Sequence, residues 1–336
     1  MELLSIVIPC YNEQETLDDF YKEIRKVRNS LASIGCCLEV IFIDDGSRDK
    51  TLDKMKQLAK ENSWIKYLSF TKNFGKEAAI YAGLRHGSGN FVGLMDVDLQ
   101  DPPSLIPKML EILKSEEYGC VATRRVNRKG EPAMRSFFAR AFYKLMKRVS
   151  DVEIVDGARD FRLMSRPYVD SVLSLKEYNR FSKGLFSWVG YKTKWLEYEN
   201  VERARGETKW SFFKLLLYSI DGIVAFSTAP VRFASCLGLL FCGLAFVFLF
   251  VIFFRALIFG DPVAGWPSLV CVILLLSGTQ LFCLGLLGEY LSKTYMEVKK
   301  RPIYLCRETN LDDTESIINE RTSSVKKGEI NENKKL

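Results

Sequence analysis

Between residues 226 and 291 the chain carries only four charged side chains, Arg232, Arg255, Asp261 and Glu289. Within that block Phe233–Phe254 and Trp266–Leu287 are each 22 residues long and charge-free. At about 1.5 Å per residue, either would run ~33 Å as a helix, enough for a bilayer core of about 30 Å. The short link Arg255–Gly265 contains Gly260-Asp261-Pro262, so the two runs read as a hairpin in segment 232–291, with spans at about 233–256 and 266–289. Arg232 precedes the first run, and Lys293, Lys299, Lys300 and Arg301 follow the second. By the positive-inside bias both ends are expected on the cytoplasmic side of the cell membrane. The bulk of the chain, 1–208, and a polar tail, 292–336, would then be cytoplasmic. From about residue 308 the tail is rich in Asn, Lys and Glu, and disorder or partial helix is expected. No signal peptide is expected, because Met1-Glu2 lacks a basic region and Leu3–Pro9 is too short an apolar run. A wholly cytosolic globule is excluded, and so is a many-span transporter.

The remainder is highly charged, with 48 Lys and Arg against 41 Asp and Glu. His86 is the one histidine, which removes HExxH and multi-histidine metal centres. Nine cysteines are scattered without a CxxC pair and read as reduced thiols. Leu3–Ile8, Leu38–Ile43, Ile65–Phe70, Phe91–Met95 and Cys120–Thr123 are short apolar runs that predict strands. Between them Leu17, Phe20, Ile24, Val27 and Leu31 recur at helical spacing, and 51–62, 77–84 and 105–114 predict further helices. This alternation predicts an α/β domain with a mostly parallel sheet covered on both faces, whose ligands sit beyond the carboxyl ends of the strands.

Three strands end in polar clusters. Asp96-Val97-Asp98 follows the fourth strand, and two carboxylates there are costly unless a cation offsets them. Mg²⁺ or Mn²⁺ bridging substrate phosphates would do so. Asp101, before Pro102-Pro103, could instead only cap the next helix. Asp44-Asp45-Gly46-Ser47 with Asp49 reads either as an Asx turn or as a carboxylate meeting a base or ribose. Pro9-Cys10-Tyr11-Asn12-Glu13 offers an aromatic for stacking and a carboxylate for ribose, or Asn12 simply caps a helix. Neither GxGxxG after a strand nor GxxxxGK[ST] occurs. A diphosphate would therefore rest on metal and side chains such as Lys72 and Lys76, around a Gly75 that permits close backbone approach. Residues 124–148 are basic and amphipathic, suited to a solvated face or to phosphates and anionic lipid, and Trp210–Phe226 predicts an interfacial helix within 209–231.

Pro9–Glu13, Asp44–Asp49, Lys72–Lys76 and Asp96–Pro103 resemble, in order, the motifs of family 2 glycosyltransferases with the GT-A fold. Asp156–Met164 and Glu202–Ser211 are similar to the polyprenyl-phosphate hexosyltransferase branch, which includes dolichol-phosphate mannose synthases and bactoprenol glucosyltransferases. The resemblance implies that Pro9, Tyr11, Glu13, Asp44 and Asp45, with Lys72, Lys76, Asp96 and Gln100, hold the nucleotide-sugar. It implies that Asp96 and Asp98 hold Mg²⁺ or Mn²⁺. Arg124, Arg135, Arg203, Arg205 and Lys209 would grip the acceptor phosphate. Asp160 matches the proposed catalytic carboxylate, with Asp156 the fallback, and an ion pair with Arg159 or Arg162 is the alternative for both. The implied reaction is inverting hexose transfer, glucose from a UDP-sugar first, to undecaprenyl phosphate for the cell envelope. The implied partners are the membrane and further copies of the chain, without nucleic acid. A processive polysaccharide synthase would need a QxxRW, which is absent. A membrane scaffold or lipid-flipping partner with a degenerate domain would not need to keep both Asp96 and Asp98.

Overall fold

The structure is a computed structural model that describes residues 2–115, 117–125, 155, 157–198, 227, 229–259 and 265–311. The elements run β1 (Glu2–Cys10), α1 (Leu17–Ser33), β2 (Cys36–Asp44), α2 (Thr51–Glu61), β3 (Ile65–Phe70), α3 (Lys76–His86) and β4 (Phe91–Leu94). A 3₁₀ turn at Pro103–Leu105 leads into α4 (Ile106–Lys114), followed by β5 (Cys120–Arg125), β6 (Ala158–Ser165), α5 (Arg166–Ser174), α6 (Ser182–Trp188) and β7 (Thr193–Tyr198). Two long helices, α7 (Ala229–Phe259) and α8 (Trp266–Val298), precede a last strand, β8 (Cys306–Thr309).

The strands form one sheet in the order β7-β5-β6-β4-β1-β2-β3-β8. β1 pairs in parallel with β2 and β4, β2 with β3, and β5 with β7, while β6 and β8 run against their neighbours. Alternation along each strand feeds two cores. Ile6, Ile8, Val40 and Phe42 face α1, α2 and α4, where Phe20, Ile24, Met55, Met109 and Leu110 are buried. Val7, Ile41, Ile43 and Leu94 face α3 and α5, meeting Ala79, Ala82, Tyr168 and Val169. The small face of α3 lets it lie close: a Cβ on Gly83 would fall 2.0 Å from Val7 Cγ1.

The expected tail from 292 is corrected over its first part, while residues 312–336 lie outside the described residues. Helix α8 continues to Val298, and β8 adds to the open edge of β3. Tyr304 stacks on Phe70 with ring centroids 4.9 Å apart, and its hydroxyl lies 3.0 Å from His86 Nε2. Asn310 Oδ1 accepts from the Tyr67 N–H at 2.6 Å. A strand of four residues with little apolar alternation leaves no periodic signal, and its pairing is set by the edge it meets. Nor does the mixed-charge run of β6, which slots antiparallel between β4 and β5, announce itself.

Along α7 and α8 large apolar side chains face outward, Leu239 being 75% and Leu281 70% exposed. Among the described residues one helix, at Ala229–Phe248, is long and apolar enough to cross a membrane, with mean hydropathy 2.1. The expected interfacial helix, and nearly all of the basic segment, lie outside the described residues; Arg124 and Arg125 belong to β5.

Candidate active site

Because β1, β2, β3 and β4 are parallel, their carboxyl ends share one edge, and the loops leaving them are laced together. Asn12 N–H donates to Ser47 Oγ at 2.9 Å, Arg48 N–H donates to Asn12 Oδ1 at 2.8 Å, and Glu13 N–H donates to Thr51 Oγ1 at 2.8 Å. Asn12 takes the left-handed conformation, φ 53°, to do this. It ties two loops instead of capping α1, whose first residue is Leu17. The Asp44 carboxylate is buried and accepts from Ser47 N–H at 3.0 Å and Ser69 Oγ at 2.7 Å, which holds the turn after β2 and ties it to β3. Asp45, also buried, accepts from Phe74 N–H at 2.6 Å and Gly75 N–H at 3.0 Å. Burial pushes its carboxyl up to about 6 despite those two donors. A close approach between two stretches of backbone occurs at Gly46. A Cβ on Gly46, φ 68°, would lie 2.4 Å from the Lys72 carbonyl carbon, whereas Gly75 is needed for its own φ of 95° and has open space around it.

The centre of the site follows from strand register. β6 runs antiparallel to β4 with Leu94 opposite Arg162, so two residues further along Asp96 and Asp160 come side by side. The ammonium of Lys76, the first residue of α3, bridges them: Nζ lies 2.7 Å from Asp96 Oδ1 and 2.5 Å from Asp160 Oδ2. Burial works against both charges. For Lys76 the carboxylates outweigh it and hold the ammonium above its ordinary value; for Asp160, Lys76 and then Lys183 outweigh it and hold the carboxyl well below the usual range. The expected alternative, pairing of Asp160 with Arg159 or Arg162, is therefore corrected. Arg162 Nε donates to the Asp160 backbone oxygen at 3.2 Å, and Arg159 Nε donates to Asp101 at 3.0 Å. Asp101 is not a helix cap but a buried anchor, shared with the Tyr198 hydroxyl, and its Oδ2 is buried without a hydrogen-bond partner among the described residues. Through Arg159, which also reaches Gln100 Oε1 at 3.3 Å, this anchor braces the loop that carries Asp96 and Asp98.

The sequence model described as Glycosyl transferase family 2 matches residues 5–173, the span that builds this edge. The chain belongs to that family. A Bacillus subtilis (strain 168) protein, CsbB, whose name places it among the glycosyltransferases, is 42% identical over 92% of this chain and 92% of its own length. The prophage bactoprenol glucosyl transferase homolog of Escherichia coli (strain K12) is 40% identical over 90% of this chain and 98% of its own. Among solved structures, glucosyl-3-phosphoglycerate synthase from Mycobacterium tuberculosis in complex with Mn²⁺, UDP-glucose and phosphoglyceric acid covers 66% of this chain and 78% of its own, with TM-score 0.42 and 18% identity. The mixed, mostly parallel sheet flanked by helices is a GT-A-like fold.

Within this family 2 domain, Pro9, Tyr11, Glu13, Asp44, Asp45, Lys76, Asp96, Asp98, Gln100 and Asp160 gather at one edge, while Lys72 is exposed with Nζ 5.1 Å from the Phe74 ring centroid. Arg124 is paired with Glu197 across β5 and β7. Asp156, Arg135, Arg203, Arg205 and Lys209 lie outside the described residues. Among the described residues no group of three or more His, Cys, Asp or Glu side chains is set to hold a metal. Asp96 and Asp98 still fit a divalent ion: both are half-buried hard oxygen donors, and Mg²⁺-type sites commonly use one or two carboxylates plus substrate phosphate. Sequence reading missed Lys183, whose Nζ is 3.5 Å from the Ala158 oxygen beside Asp160, and Arg159 as a brace. Neither has a local signal, since each acts across a strand pairing or from a separate helix.

Proposed function

We propose that this family 2 glycosyltransferase moves a hexose, glucose first among candidates, from a UDP-sugar to the phosphate of a polyprenyl lipid such as undecaprenyl phosphate, at the cytoplasmic face of the membrane. The observation that carries the reading is the union of two features in one sheet. Its carboxyl edge bears Asp96, Asp98, Asp160 and Lys76, and its outer edge receives β8, the chain returning from α7 and α8. Since β8 pairs with β3 of the same domain that precedes α7, the chain comes back to the side it left. Two crossings would satisfy that requirement, α7 by its own length and hydropathy and α8 as its proposed return, and the outward-facing apolar side chains of both helices suit lipid. A polyprenyl tail stays in the bilayer, so an enzyme acting on its headgroup must be held there. The bactoprenol glucosyl transferases among the relatives align over nearly their whole length, helices included.

The acceptor monophosphate, with a second pKa near 6, is largely dianionic at neutral pH and already nucleophilic. What it needs is placement and relief from the donor's negative charge. Asp160, held ionised by Lys76, is a poor proton acceptor; its work is to fix the ammonium beside Asp96. Asp96 and Asp98 would hold Mg²⁺ or Mn²⁺, which when bound supplies a Lewis acid for the leaving diphosphate. Tyr11 and Glu13 flank the donor pocket, while Asp44 and Asp45 hold the pocket's loops in place. Arg124 would turn from Glu197 to the acceptor phosphate, an exchange made easy because an exposed ion pair is worth about 1 kcal/mol or less. Direct attack in a single displacement inverts the anomeric centre.

The test is transfer by the purified full-length enzyme in detergent. Radiolabelled UDP-glucose, UDP-galactose, UDP-N-acetylglucosamine and GDP-mannose are each offered with undecaprenyl phosphate, with Mg²⁺ or Mn²⁺ and with chelator. Label entering the organic phase with one donor, and lost with chelator, is the expected result. No lipid labelling from any donor would overturn the proposal and favour a scaffold.

A further inference from the structure

The far end of α8 and the Lys76 cluster are joined by an unbroken run of contacts. Glu297, one residue from the end of α8, accepts through Oε1 from the Tyr178 N–H at 2.8 Å and the Asn179 N–H at 3.2 Å. Asn179 Nδ2 in turn donates to the Lys293 carbonyl at 3.4 Å. Three residues further on, Ser182 donates its N–H to Glu77 Oε2 at 2.9 Å and its hydroxyl to the same oxygen. Glu77 is the second residue of α3 and the immediate neighbour of Lys76. Between these two anchors Arg180 is buried with its guanidinium 4.7 Å from the Tyr81 ring centroid, one turn along α3, and its Nη1 donates to the Leu175 carbonyl.

The segment 175–182 is thus a strap. One end is held by a carboxylate on α8, the other by a carboxylate on the first turn of α3. The strap's two backbone donors to Glu297 are charge-assisted, and hydrogen bonds of that kind are about twice as strong as neutral ones. Burying the Glu77 carboxylate is costly, and its placement in the first turn of a helix, with a serine N–H and O–H as donors, offsets that cost. The first turn of α3 also sets where the Lys76 ammonium stands between Asp96 and Asp160.

We infer that Glu297 is a positioning residue: by clamping the 175–182 strap onto α8, it registers the first turn of α3, and with it Lys76, against the apolar helices. The inference rests on the transferase reading for its kinetic arm only. On that reading, the helices that hold the enzyme to lipid also hold the sugar-transfer cluster in its working geometry.

The experiment compares the full-length enzyme with Glu297→Ala, Glu297→Gln and Glu289→Ala in lipid nanodiscs. Glutamine keeps an acceptor oxygen for both N–H groups. Glu289 lies on α8 and faces Lys293, 3.9 Å away, in a pair of its own. Hydrogen exchange should rise about tenfold in Glu297→Ala, both at Tyr178–Ser182 and at the first-turn amides of α3, including Ala79, which bonds to the Gly75 oxygen. In the transfer assay the same variant should lose about tenfold or more in kcat with donor KM unchanged, because misplacement of about 1 Å is enough for such a loss. Glu289→Ala should match wild type in both readouts, and Glu297→Gln, which keeps the acceptor without the charge, should fall between wild type and Glu297→Ala. Exchange that rises at Tyr178 and Asn179 alone, or Glu289→Ala behaving like Glu297→Ala, would overturn the inference. If the wild type transfers no sugar, the transferase reading fails while the exchange comparison still decides the role of Glu297.

Discussion

The bridge from Lys76 to Asp160 can be weighed by a double-mutant cycle with Lys76→Met, Asp160→Asn and the pair together. At 2.5 Å, and with an effective dielectric constant of about 20, the gross attraction is about 7 kcal/mol. Most of that is offset by desolvation, by about 2 kcal/mol of ordering in the lysine side chain, and by its positive charge at a helix N-terminus, which opposes it by a further ~0.3–1 kcal/mol. Exposed pairs couple by roughly 0–1 kcal/mol, while truncating one partner of a buried pair costs about 3–5 kcal/mol. The Lys76 side chain is 37% exposed and that of Asp160 18%, so the net lies between those limits, at about 2 kcal/mol. The single variants should each lower the unfolding midpoint of the α/β domain by about 4–8 °C, and the double variant should fall by clearly less than their sum. Thermal unfolding in chelator at neutral pH reads this directly. Additive losses, with coupling under about 0.5 kcal/mol, would refute the bridge.

Asp98→Asn should cost about 10²–10³-fold in transfer and remove the response to Mn²⁺, while Asp160→Asn should cost about tenfold; equal losses in a turnover assay would contradict a secondary role for Asp160. Asp45, raised on folding from 3.8 to about 6, favours the folded state when protonated, so its contribution is present below about pH 4 and is lost as pH rises through 6. Asp45→Asn, which keeps an acceptor for Phe74 and Gly75, should therefore gain on wild type by on the order of 2 kcal/mol between pH 4 and pH 7, read as paired melting curves at the two pH values. Gly46→Ala meets both a positive φ and the Lys72 backbone, and chemical unfolding should show a loss of about 2–4 kcal/mol. Tyr304→Ala removes a half-buried ring from Phe70 and should cost about 2 kcal/mol, with raised hydrogen exchange in β3 as the accompanying sign.

The parts of the fold written in local periodicity are those the chain announces. The spacing from Leu17 to Leu31 marks the buried face of α1, and the apolar runs mark β1 to β4, because each element buries its own stripe. What the chain conceals is long-range pairing. Asp160 lies 84 residues from Lys76, and only the β4–β6 register brings them together. The four residues of β8 carry no pattern of their own and are ordered by the edge of β3 and by Tyr304. Motif residues are likewise legible as a set while their tasks are not. Asp44 and Asp45 read equally as a turn or as ligand-facing carboxylates, and only the fold shows both spending oxygens on loop amides and a serine hydroxyl. Asp101 reads as a cap, yet it anchors Arg159 from the interior.

The late position of β8 orders events during synthesis. A ribosome releases the chain from its first residue onward, so α7 and α8 emerge before the strand that closes the outer edge of β3. Until both helices and the turn after them have been made, β3 keeps an unpaired row of amides, a surface on which immature chains stick to one another. A version cut off before α7 would keep that raw margin permanently, so completion of the sheet waits on synthesis of both long helices.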